Sequence, residues 1–341
     1  MIRAGARRLW ILGAGLALGG CRGVQTMLDP TGDQARHIDL VWRTMLIVCG
    51  VMYVLVLAYL AWGLWRARGR RGEAAAAPEP GHTAAERGLE RGLTGWVALV
   101  VAGLVLLTTI SFLVDRSLAE VAPDPLKIKV TANQWWWQVE YQGATPSQRV
   151  TTANELHLPL GRPAVIELHA NDVIHSFWAP NLAGKTDLIP GRTNYLAVTP
   201  RRLGVFRGQC AEFCGLEHAL MAFDIHVEPP AAFEAWRASQ LQPAAAPTDP
   251  EALKGQQIFN SKACALCHAI AGSEASASFG PDLTHLKSRD HIAAGALPNT
   301  YGDLEAWIAD PQGVKPGTSM PRVSLSSDEL QAVTSYLETL K

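Results

Sequence analysis

The sequence predicts a membrane-anchored protein of three parts: a two-helix transmembrane hairpin, a β-sandwich and an all-α domain. Two apolar runs of nearly membrane-spanning length lie close to the N-terminus. Short strand-like segments separated by turn residues follow, and capped helix patterns begin and end the last part of the chain. The length of 341 residues leaves room for these domains, and the net charge of −1 does not suggest nucleic-acid binding.

The N-terminus has the pattern of an exported chain. Arginines precede a short apolar run, so residues 1–20 are predicted to be a signal peptide rather than a spanning helix. The run ends in a Leu-Gly-Gly-Cys motif that resembles a bacterial lipobox, in which Cys21 would be lipidated and become the mature N-terminus. The alternative is an ordinary signal peptide with an incidental cysteine.

Residues 21–120 are predicted to form the transmembrane hairpin, with helices at about 44–65 and 96–114. Arginines are concentrated between the two runs, which marks the connecting segment as cytoplasmic. The rest of the chain would then lie on the periplasmic or outer side of the membrane. The arginines are Arg66, Arg68, Arg70, Arg71, Arg87 and Arg91.

Residues 121–230 have the pattern of a β-sandwich. The segment Leu126–Ala132 alternates at a period of two residues, as a half-buried strand does. Further strand candidates, separated by prolines and glycines, are Ala164–Leu168, Tyr195–Val198 and Phe223–Val227. A helix is predicted at Pro230–Leu241 before a Pro- and Ala-rich stretch, and residues 231–249 are assigned to the link between domains.

Residues 250–341 are predicted to form a small helical domain. Asp249 is a candidate N-cap with Pro250 at the first helical position. Ser326 and Glu329 have the spacing of a capping box at the start of a C-terminal amphipathic helix. A domain of this size would have a marginal core on its own.

Four of the six cysteines form two close pairs, Cys210 with Cys214 and Cys264 with Cys267, and each pair is followed by a histidine. A disulfide-stabilised domain would instead scatter its cysteines through loops. Thiolate, imidazole and thioether ligands favour copper or haem iron over calcium or magnesium, which prefer oxygen. Metal or haem binding is therefore favoured over disulfide pairing.

The second pair has the c-type haem attachment pattern Cys264-x-x-Cys267-His268. In this pattern the two thiols add to the haem vinyl groups and the histidine binds the iron. Met320 is the candidate for the other axial position, where a thioether would raise the reduction potential. Weaker candidates for that position are His285 and His291. The Gly280-Pro281 turn resembles that of class I cytochromes c, in which the proline carbonyl accepts a hydrogen bond from the iron-binding histidine.

The first pair belongs to a richer ligand set than a mononuclear blue-copper site needs. Cys210 and Cys214 are followed by His218 and Met221, and two such cysteines could bridge a pair of copper ions. A second imidazole must come from elsewhere, and His175 is the candidate. Zinc is the rival metal, but a zinc site would not need the methionine. Histidines predicted to be only surface or packed residues are His37, His82, His157, His169 and His226.

These residues resemble the CuA site of cytochrome c oxidase subunit II, and the resemblance extends over nearly the whole chain. The matching segments are His175-Ser-Phe-x-x-Pro180, Cys210-x-Glu212-x-Cys214-x-x-x-His218-x-x-Met221, Lys185–Arg192 and Gln134–Trp137. With the C-terminal haem motif, the chain resembles the fused subunit II of caa3-type haem-copper oxidases. The resemblance implies a cupredoxin-like sandwich for the middle domain and a class I cytochrome c fold for the last.

The resemblance also implies a role for each site residue. Cys210 and Cys214 would bridge two copper ions. The other ligands would be His175 and Met221 on one ion, and His218 with the backbone carbonyl of Glu212 on the other. The Glu212 carboxylate would reach a magnesium ion at the subunit I interface. Electrons would enter at Trp135 and Trp136, where an exposed tryptophan would let a partner haem approach closely. The alternative for Trp135, Trp136 and Trp137 is simple packing between domains.

The implied function is that of an electron-transfer subunit of a respiratory cytochrome c oxidase. Electrons would pass from haem c to CuA and on to subunit I, where oxygen is reduced to water with proton pumping. The implied partners are the other oxidase subunits and a cytochrome c or bc-type complex as donor. The implied location is the bacterial inner (plasma) membrane, with a multi-pass anchor and both redox domains on the periplasmic or outer side.

Two alternatives fit parts of the pattern. One is a CuA-bearing small subunit of a nitric oxide reductase, which differs in its catalytic subunit. The other is a structural subunit of a quinol oxidase, which the intact ligand set disfavours. Family members often carry a proton-admitting glutamate before the second helix. Glu90 or Glu86 could take that place here, although an ordinary loop glutamate fits equally well.

Overall fold

The computed structural model describes residues 22–68, 84–118 and 123–341. The chain divides into two compact units. One is His37–Glu120, and the other comprises Met1–Arg36 together with Val121–Lys341. The predicted signal peptide and Cys21 lie outside the described residues.

Two long helices form the N-terminal part, α1 at Asp33–Arg68 and α2 at Ala84–Leu118. Both are long and apolar enough to cross a membrane, and none of the side chains in their most apolar stretches is buried. Each helix extends beyond the predicted apolar run, because hydropathy marks only the residues that would meet lipid while helical hydrogen bonding continues into the polar ends. Acidic Asp33 in the first turn and basic Arg66 and Arg68 in the last turn of α1 complement the helix dipole.

The middle domain is a sandwich of two five-stranded sheets, with strand orders β3-β2-β1-β5-β8 and β4-β10-β9-β6-β7. The predicted strands are confirmed, each within one or two residues of its expected ends. The strands are β1 Leu126–Asn133, β2 Trp136–Tyr141, β3 Val150–Ala153, β4 Glu155–Pro159, β5 Ala164–Ala170, β6 His175–Trp178, β7 Thr186–Leu188, β8 Asn194–Val198, β9 Gly204–Cys210 and β10 Ala222–Glu228.

Aromatic side chains fill the space between the two sheets. Trp137 from the first sheet is fully buried. Its ring meets Phe177 and Phe223 of the second sheet edge-on, with centroids 5.9 and 5.3 Å apart. Edge-to-face contacts of this kind stabilise beyond the area they bury. They hold β6, β9 and β10 in place, and these are the strands that carry the site described below.

The helix α3, Pro230–Gln240, packs on the sandwich rather than linking domains. Phe233 is completely buried in the sandwich core and contacts Tyr141, with ring centroids 6.0 Å apart. The assignment of residues 231–249 to a link is therefore wrong for its first half, because α3 has an apolar face that the sandwich covers. Only the stretch after Gln240 connects the domains.

The C-terminal domain is helical and carries the predicted caps. Its helices are α4 Pro250–Ser261, α5 Tyr301–Ala309, α6 Pro311–Val314 and α7 Ser327–Leu337, and two short strands, β11 His291–Ile292 and β12 Leu297–Pro298, form a hairpin. Asp249 caps α4 with Pro250 following it, and Ser326 and Glu329 form a capping box on α7. Gly255 lets α4 and α7 cross closely, because a Cβ there would lie 1.9 Å from the Ala332 carbonyl oxygen.

Candidate copper and haem sites

The predicted copper ligands meet at one end of the second sheet. Strands β6 and β9 pair with Phe177 opposite Cys210, which brings the start of β6, at His175, beside the end of β9. The chain then turns through a short loop and re-enters the sheet after Met221. The Cys210 amide donates to the Met221 carbonyl over 2.9 Å, which closes the loop and fixes its two ends together.

The donor atoms of this loop converge around the two sulfur atoms, whose Sγ–Sγ distance is 3.7 Å. Cys210 Sγ lies 3.8 Å from Nδ1 of His175 and 3.2 Å from the carbonyl oxygen of Glu212. Cys214 Sγ lies 3.6 Å from Nδ1 of His218 and 3.9 Å from Sδ of Met221. Two thiols, two imidazoles, a thioether and a carbonyl therefore face one small volume, and this donor set suits copper.

The two thiols do not ionise alike. The neighbouring Cys214 thiol, which can hydrogen-bond to a thiolate at Cys210, lowers the pKa of Cys210 to about 3 against the effect of burial, with help from His175. The same interaction, together with burial, raises the pKa of Cys214 above its ordinary value. The pair therefore holds a single negative charge with ease, and a bound cation would be needed to stabilise a second.

An additional carboxylate, not anticipated from the sequence, orients His175. Nε2 of His175 lies 2.8 Å from Oδ1 of Asp172, so the ring donates to the carboxylate and turns Nδ1 towards Cys210. Burial would lower the pKa of His175, but the hydrogen bonds to Asp172 and Cys210 outweigh it and raise this pKa. A carboxylate behind an imidazole is typical of metal-binding histidines. A carboxylate three residues before the histidine was the only sequence signal.

The aromatic run beside the loop is covered by the chain itself. The Trp135 indole nitrogen and the Gln134 side-chain amide both donate to the Cys214 carbonyl oxygen, over 3.0 and 2.7 Å. Trp135 is only 9% exposed, so the expectation of an exposed tryptophan is wrong. Trp136 is half-buried. The Trp135 backbone also meets the C-terminal domain, where Nζ of Lys315 donates to its carbonyl oxygen over 2.8 Å.

The predicted haem motif lines a cavity of about 680 Å³ in the C-terminal domain. Cys264, Cys267, His268 and Met320 all face this cavity, and its far wall includes Trp135 of the sandwich. The cavity is therefore large and apolar, and the two predicted attachment cysteines and the two predicted iron ligands surround it. These features fit a covalently attached haem.

His268 is held in place by its ring hydrogen bond. Nδ1 of His268 donates to the Pro281 carbonyl over 2.7 Å, which leaves Nε2 free to bind iron. Burial lowers the pKa of His268, so the ring is neutral and its lone pair is available. Gly280 packs against this ring so closely that a Cβ would lie 2.6 Å from Cε1 of His268.

The loop that carries Met320 is braced by Gln312. The Gln312 side-chain amide donates to the carbonyls of Thr318 and Met320, over 2.7 and 3.0 Å. The two rival ligands have other partners. His285 has both ring nitrogens near backbone carbonyls, at 2.8 and 3.1 Å, and His291 lies 2.6 Å from Oδ2 of Asp224. These contacts disfavour His285, whereas Nε2 of His291 and Sδ of Met320 have no such partner among the described contacts.

A second group of potential metal ligands, Glu155, His157 and His226, lies at the boundary between sandwich and C-terminal domain. The two imidazole rings stack with centroids 4.4 Å apart and an interplanar angle of 9°. An ion lies close to the plane of each imidazole that binds it, so rings stacked face to face cannot readily share one. Arg289, buried beside Glu155 with its Nε 3.9 Å from Oε1, would also repel a cation.

This second group is instead a network of ion pairs. His157 has Glu155 at 3.6 Å and Glu228 at 3.1 Å from its ring nitrogens. Burial would lower the pKa of His157, but these carboxylates outweigh it and raise the pKa to about 9. Burial would raise the pKa of Glu155, and the neighbouring His157 and Arg289 lower it to about 2 instead. The prediction that His157 is a simple surface or packed residue missed this charged role.

A pair of apolar helices, a sandwich with a soft-ligand cluster and a helical domain with a c-type haem motif define a membrane-anchored redox protein. Residues 126–228 match the family described as cytochrome c oxidase subunit II, periplasmic domain, and residues 252–341 match the cytochrome c family. Full-length proteins similar to this chain belong to the same family. The chain is 35% identical over 336 residues to the cytochrome c oxidase subunit 2 of Alkalihalophilus pseudofirmus, covering 96% of this chain and 94% of that protein.

A further relative is the cytochrome c oxidase subunit 2 of Bacillus sp. (strain PS3), 34% identical over 267 residues, which are 72% of this chain and 73% of that protein. Among solved structures, the periplasmic domain of subunit II of the Bradyrhizobium japonicum cytochrome oxidase matches with 29% identity and a TM-score of 0.33. The match covers 36% of this chain and 96% of that one. This chain belongs to the cytochrome c oxidase subunit 2 family and carries a cytochrome c domain at its C-terminal end.

Membership confirms the predicted fusion of a cupredoxin-like domain with a cytochrome c domain, and it favours the oxidase over the nitric oxide reductase and quinol oxidase alternatives. The first domain implies a CuA copper centre and the second a haem c. The family implies partnership with subunit I and other oxidase subunits. Two candidate spanning helices near the N-terminus, together with a periplasmic-type domain, indicate a membrane-anchored protein.

Proposed function

We propose that this chain receives electrons at its cytochrome c domain, passes them to a dinuclear copper centre in the sandwich and delivers them to subunit I. Oxygen would be reduced to water there, with proton pumping, in a catalytic site that belongs to that other chain. The observation that carries the proposal is that one tryptophan, Trp135, lines the haem cavity and also donates a hydrogen bond to the carbonyl oxygen of Cys214.

The arrangement of donors supports two copper ions bridged by Cys210 and Cys214. Each sulfur has a histidine nitrogen and one further donor within 4 Å, so the set is rich enough for two ions. In the assignment we propose, His175 and Met221 complete one ion, and His218 with the Glu212 carbonyl completes the other. Burial of the two sulfurs would exclude water from a bound copper pair, and Asp172 orients the His175 ring.

In the cytochrome domain we propose thioether bonds from Cys264 and Cys267, with His268 and Met320 as the axial ligands. Pro281 would keep the His268 ring oriented and its Nδ1 protonated. When bound, the copper pair and the haem supply reversible one-electron chemistry. The work of the protein is to hold soft donors at both centres, to keep the His268 ring neutral and to exclude water.

Other parts of the proposal rest on family resemblance. Glu212 lies in the loop from Cys210 to Met221, the copper loop, and its side chain is half-buried. From there its carboxylate could reach a magnesium ion at the subunit I interface. The electron donor would be a cytochrome c or a bc-type complex. The anchor would lie in the bacterial inner membrane with both redox domains on the outer side, and Cys21 would carry lipid. Glu90 is exposed on α2, as a proton-admitting group would be.

The test is the copper content and the electron paramagnetic resonance spectrum of the purified oxidase. The wild-type chain should show one electron shared over two copper ions. Cys210→Ser should lose that spectrum, and Met221→Leu should abolish oxygen reduction, while the haem c stays reducible in both. Cys49→Ser is the control, because this exposed cysteine in α1 is expected only to pack. Near wild-type oxidase turnover in Met221→Leu, or a retained shared-electron spectrum in Cys210→Ser, would refute the copper route.

A further inference from the structure

Lys315, which directly follows α6 in the cytochrome domain, is a buried lysine that points at the sandwich. It is only 2% exposed, which is rare for a lysine. Its Nζ donates to the Trp135 carbonyl over 2.8 Å and to the Ala293 carbonyl over 3.3 Å. Removing an ammonium group from water is costly unless hydrogen bonds and negative charge compensate. The compensation here comes in part from a backbone carbonyl of the other domain.

The charge around Lys315 fits this position. Burial lowers the pKa of Lys315 to about 8, while the negative charge of Glu217 acts in the opposite direction. Glu217 is itself buried in the copper loop. The Trp135 carbonyl and the Glu217 carboxylate, which compensate part of the cost of burying the ammonium group, both belong to the sandwich. The lysine therefore gains these interactions only when the domains are docked.

Ser319 makes a second contact of the same kind, next to the predicted haem ligand Met320. Its hydroxyl donates to the Gln134 carbonyl over 3.1 Å. The two carbonyls engaged by the cytochrome domain thus belong to adjacent residues, Gln134 and Trp135. The side chains of those same two residues both donate to the carbonyl of Cys214. One two-residue segment is therefore fixed from both sides, by the cytochrome domain and by the copper loop.

Glycines allow the two domains to approach closely at this segment. Gly317 lies between Lys315 and Ser319, and a Cβ there would lie 2.7 Å from Cδ1 of Leu216 in the copper loop. Gly215 has a φ of +115°, and a Cβ on it would lie 2.9 Å from the Trp135 ring. A larger residue at Gly215 would press on the Trp135 ring, and one at Gly317 would displace the Leu216 side chain from the contact.

We propose that Lys315 is a positioning residue which, with Ser319, docks the cytochrome domain on the Gln134–Trp135 segment and thereby sets the separation of the haem and copper sites. The predicted effect on electron transfer rests on the proposed function, because the rate of electron transfer depends on the separation of the two sites. The docking of the two domains does not rest on the proposed function. Precise placement of two reacting centres by groups remote from them is a general way in which proteins control rates.

The direct readout of docking is an amide that crosses the boundary. The Ala222 N–H of the sandwich donates to the Ala294 carbonyl of the cytochrome domain over 3.0 Å. Its hydrogen exchange therefore reports how often the domains separate. In the full chain, Lys315→Met should speed exchange at Ala222 by about tenfold, equivalent to ~1.4 kcal/mol of docking. Loss of the Lys315 contacts should also let the docked domain shift, and this displacement should slow electron transfer from haem to copper about tenfold with the two reduction potentials unchanged.

Lys287→Met is the matched control. Lys287 is a partly buried lysine of the same domain that also donates to a backbone carbonyl, that of Asn299 over 3.0 Å, but its contacts stay inside that domain. It should leave Ala222 exchange and the electron-transfer rate unchanged. Wild-type Ala222 exchange in Lys315→Met, or an equal increase in Lys287→Met, would overturn the proposal. Rapid exchange without slower electron transfer would overturn its claim about separation.

Ser319→Ala provides a second variant in case Lys315→Met does not fold. It should raise Ala222 exchange about threefold, since a single neutral hydrogen bond is lost. Ser288→Ala is its control, because the Ser288 hydroxyl donates to the His285 carbonyl within the cytochrome domain. Equal exchange in Ser319→Ala and Ser288→Ala would count against the docking role. A failed copper site would look different: electron transfer would be lost while Ala222 remained protected.

Discussion

The imidazole of His175 is held between a carboxylate and a thiol, with Nε2 2.8 Å from Oδ1 of Asp172. This hydrogen bond fixes which ring nitrogen faces the sulfurs. We expect Asp172→Asn to lower copper affinity by about tenfold to a hundredfold, because such outer carboxylates orient and strengthen the ligand. Copper titration of the purified chain against a competing chelator would measure the change.

Glu167→Gln is the matched control for Asp172→Asn. Glu167 pairs with His169 at 2.5 Å in the same domain, but His169 is not among the converging donors. This variant should bind copper as the wild type does. An Asp172→Asn variant with wild-type affinity would show that Asp172 has no part in ordering the ligand.

Haem attachment should depend on the absence of a side chain at Gly280. A Cβ there would lie 2.6 Å from Cε1 of His268, well inside van der Waals contact, and the ring is held by Pro281. We expect Gly280→Ala to displace the imidazole, to reduce the fraction of chain with covalent haem several-fold and to weaken the axial ligation. Haem stain on a denaturing gel and the absorption spectrum of the reduced chain measure these effects.

Gly302→Ala separates this steric effect from the general cost of replacing a glycine. Gly302 lies in α5 and has nothing within 4 Å of its Cβ position. Its replacement should leave haem content unchanged and could stabilise the helix by about 0.5–1 kcal/mol. Normal haem content in Gly280→Ala would mean that the ring can shift without losing iron.

The boundary of the sandwich can be tested at Phe233 of α3. Because this side chain is fully buried against Tyr141, Phe233→Ala should lower the free energy of unfolding of the sandwich by about 3–5 kcal/mol. Leu241→Ala, just after the same helix, is the control, since this side chain is 37% exposed and should cost far less. Urea unfolding followed by tryptophan fluorescence gives both values. Equal small losses would mean that α3 is dispensable, as a linker would be.

Local motifs predicted the ligands, while long-range contacts determined what surrounds them. Cys210, Cys214, His218 and Met221 lie within one loop, so their spacing alone predicts a shared site. His175 joins them only through the pairing of β6 with β9, so spacing along the chain could make it a candidate but could not place it at the site. The predicted strands followed from alternation, which is a local property of each segment.

The residues at the domain boundary had no local signal. Neither Lys315 nor Arg289 belongs to a motif, yet both are buried beside the sandwich: Lys315 donates to the Trp135 carbonyl, and Arg289 lies near Glu155. The helices α1 and α2 extended beyond their apolar runs because their polar ends remain helical outside the stretch that hydropathy detects.

The network around His157 predicts loss of stability at alkaline pH. The imidazolium lies between Glu155 and Glu228 and stacks between the rings of His226 and Trp236, whose centroids are 4.4 and 3.9 Å away. Because the folded-state pKa of His157 is raised from 6.5 to about 9, its contribution is complete below pH 6.5 and is lost as the pH rises through 9. The shift corresponds to about 3 kcal/mol.

We therefore expect the unfolding midpoint of the sandwich to fall between pH 6.5 and 9.5, measured by tryptophan fluorescence in urea. The groups that set this dependence are the two carboxylates, with Arg289 near Glu155 and the neutral His226 beside the ring. His157→Gln should be less stable at pH 6.5 and should show a flatter dependence over this interval. His169→Gln, which removes the partly buried partner of Glu167, should keep the wild-type slope. A wild-type slope in His157→Gln would mean that another group titrates, because no proton would then be lost from residue 157.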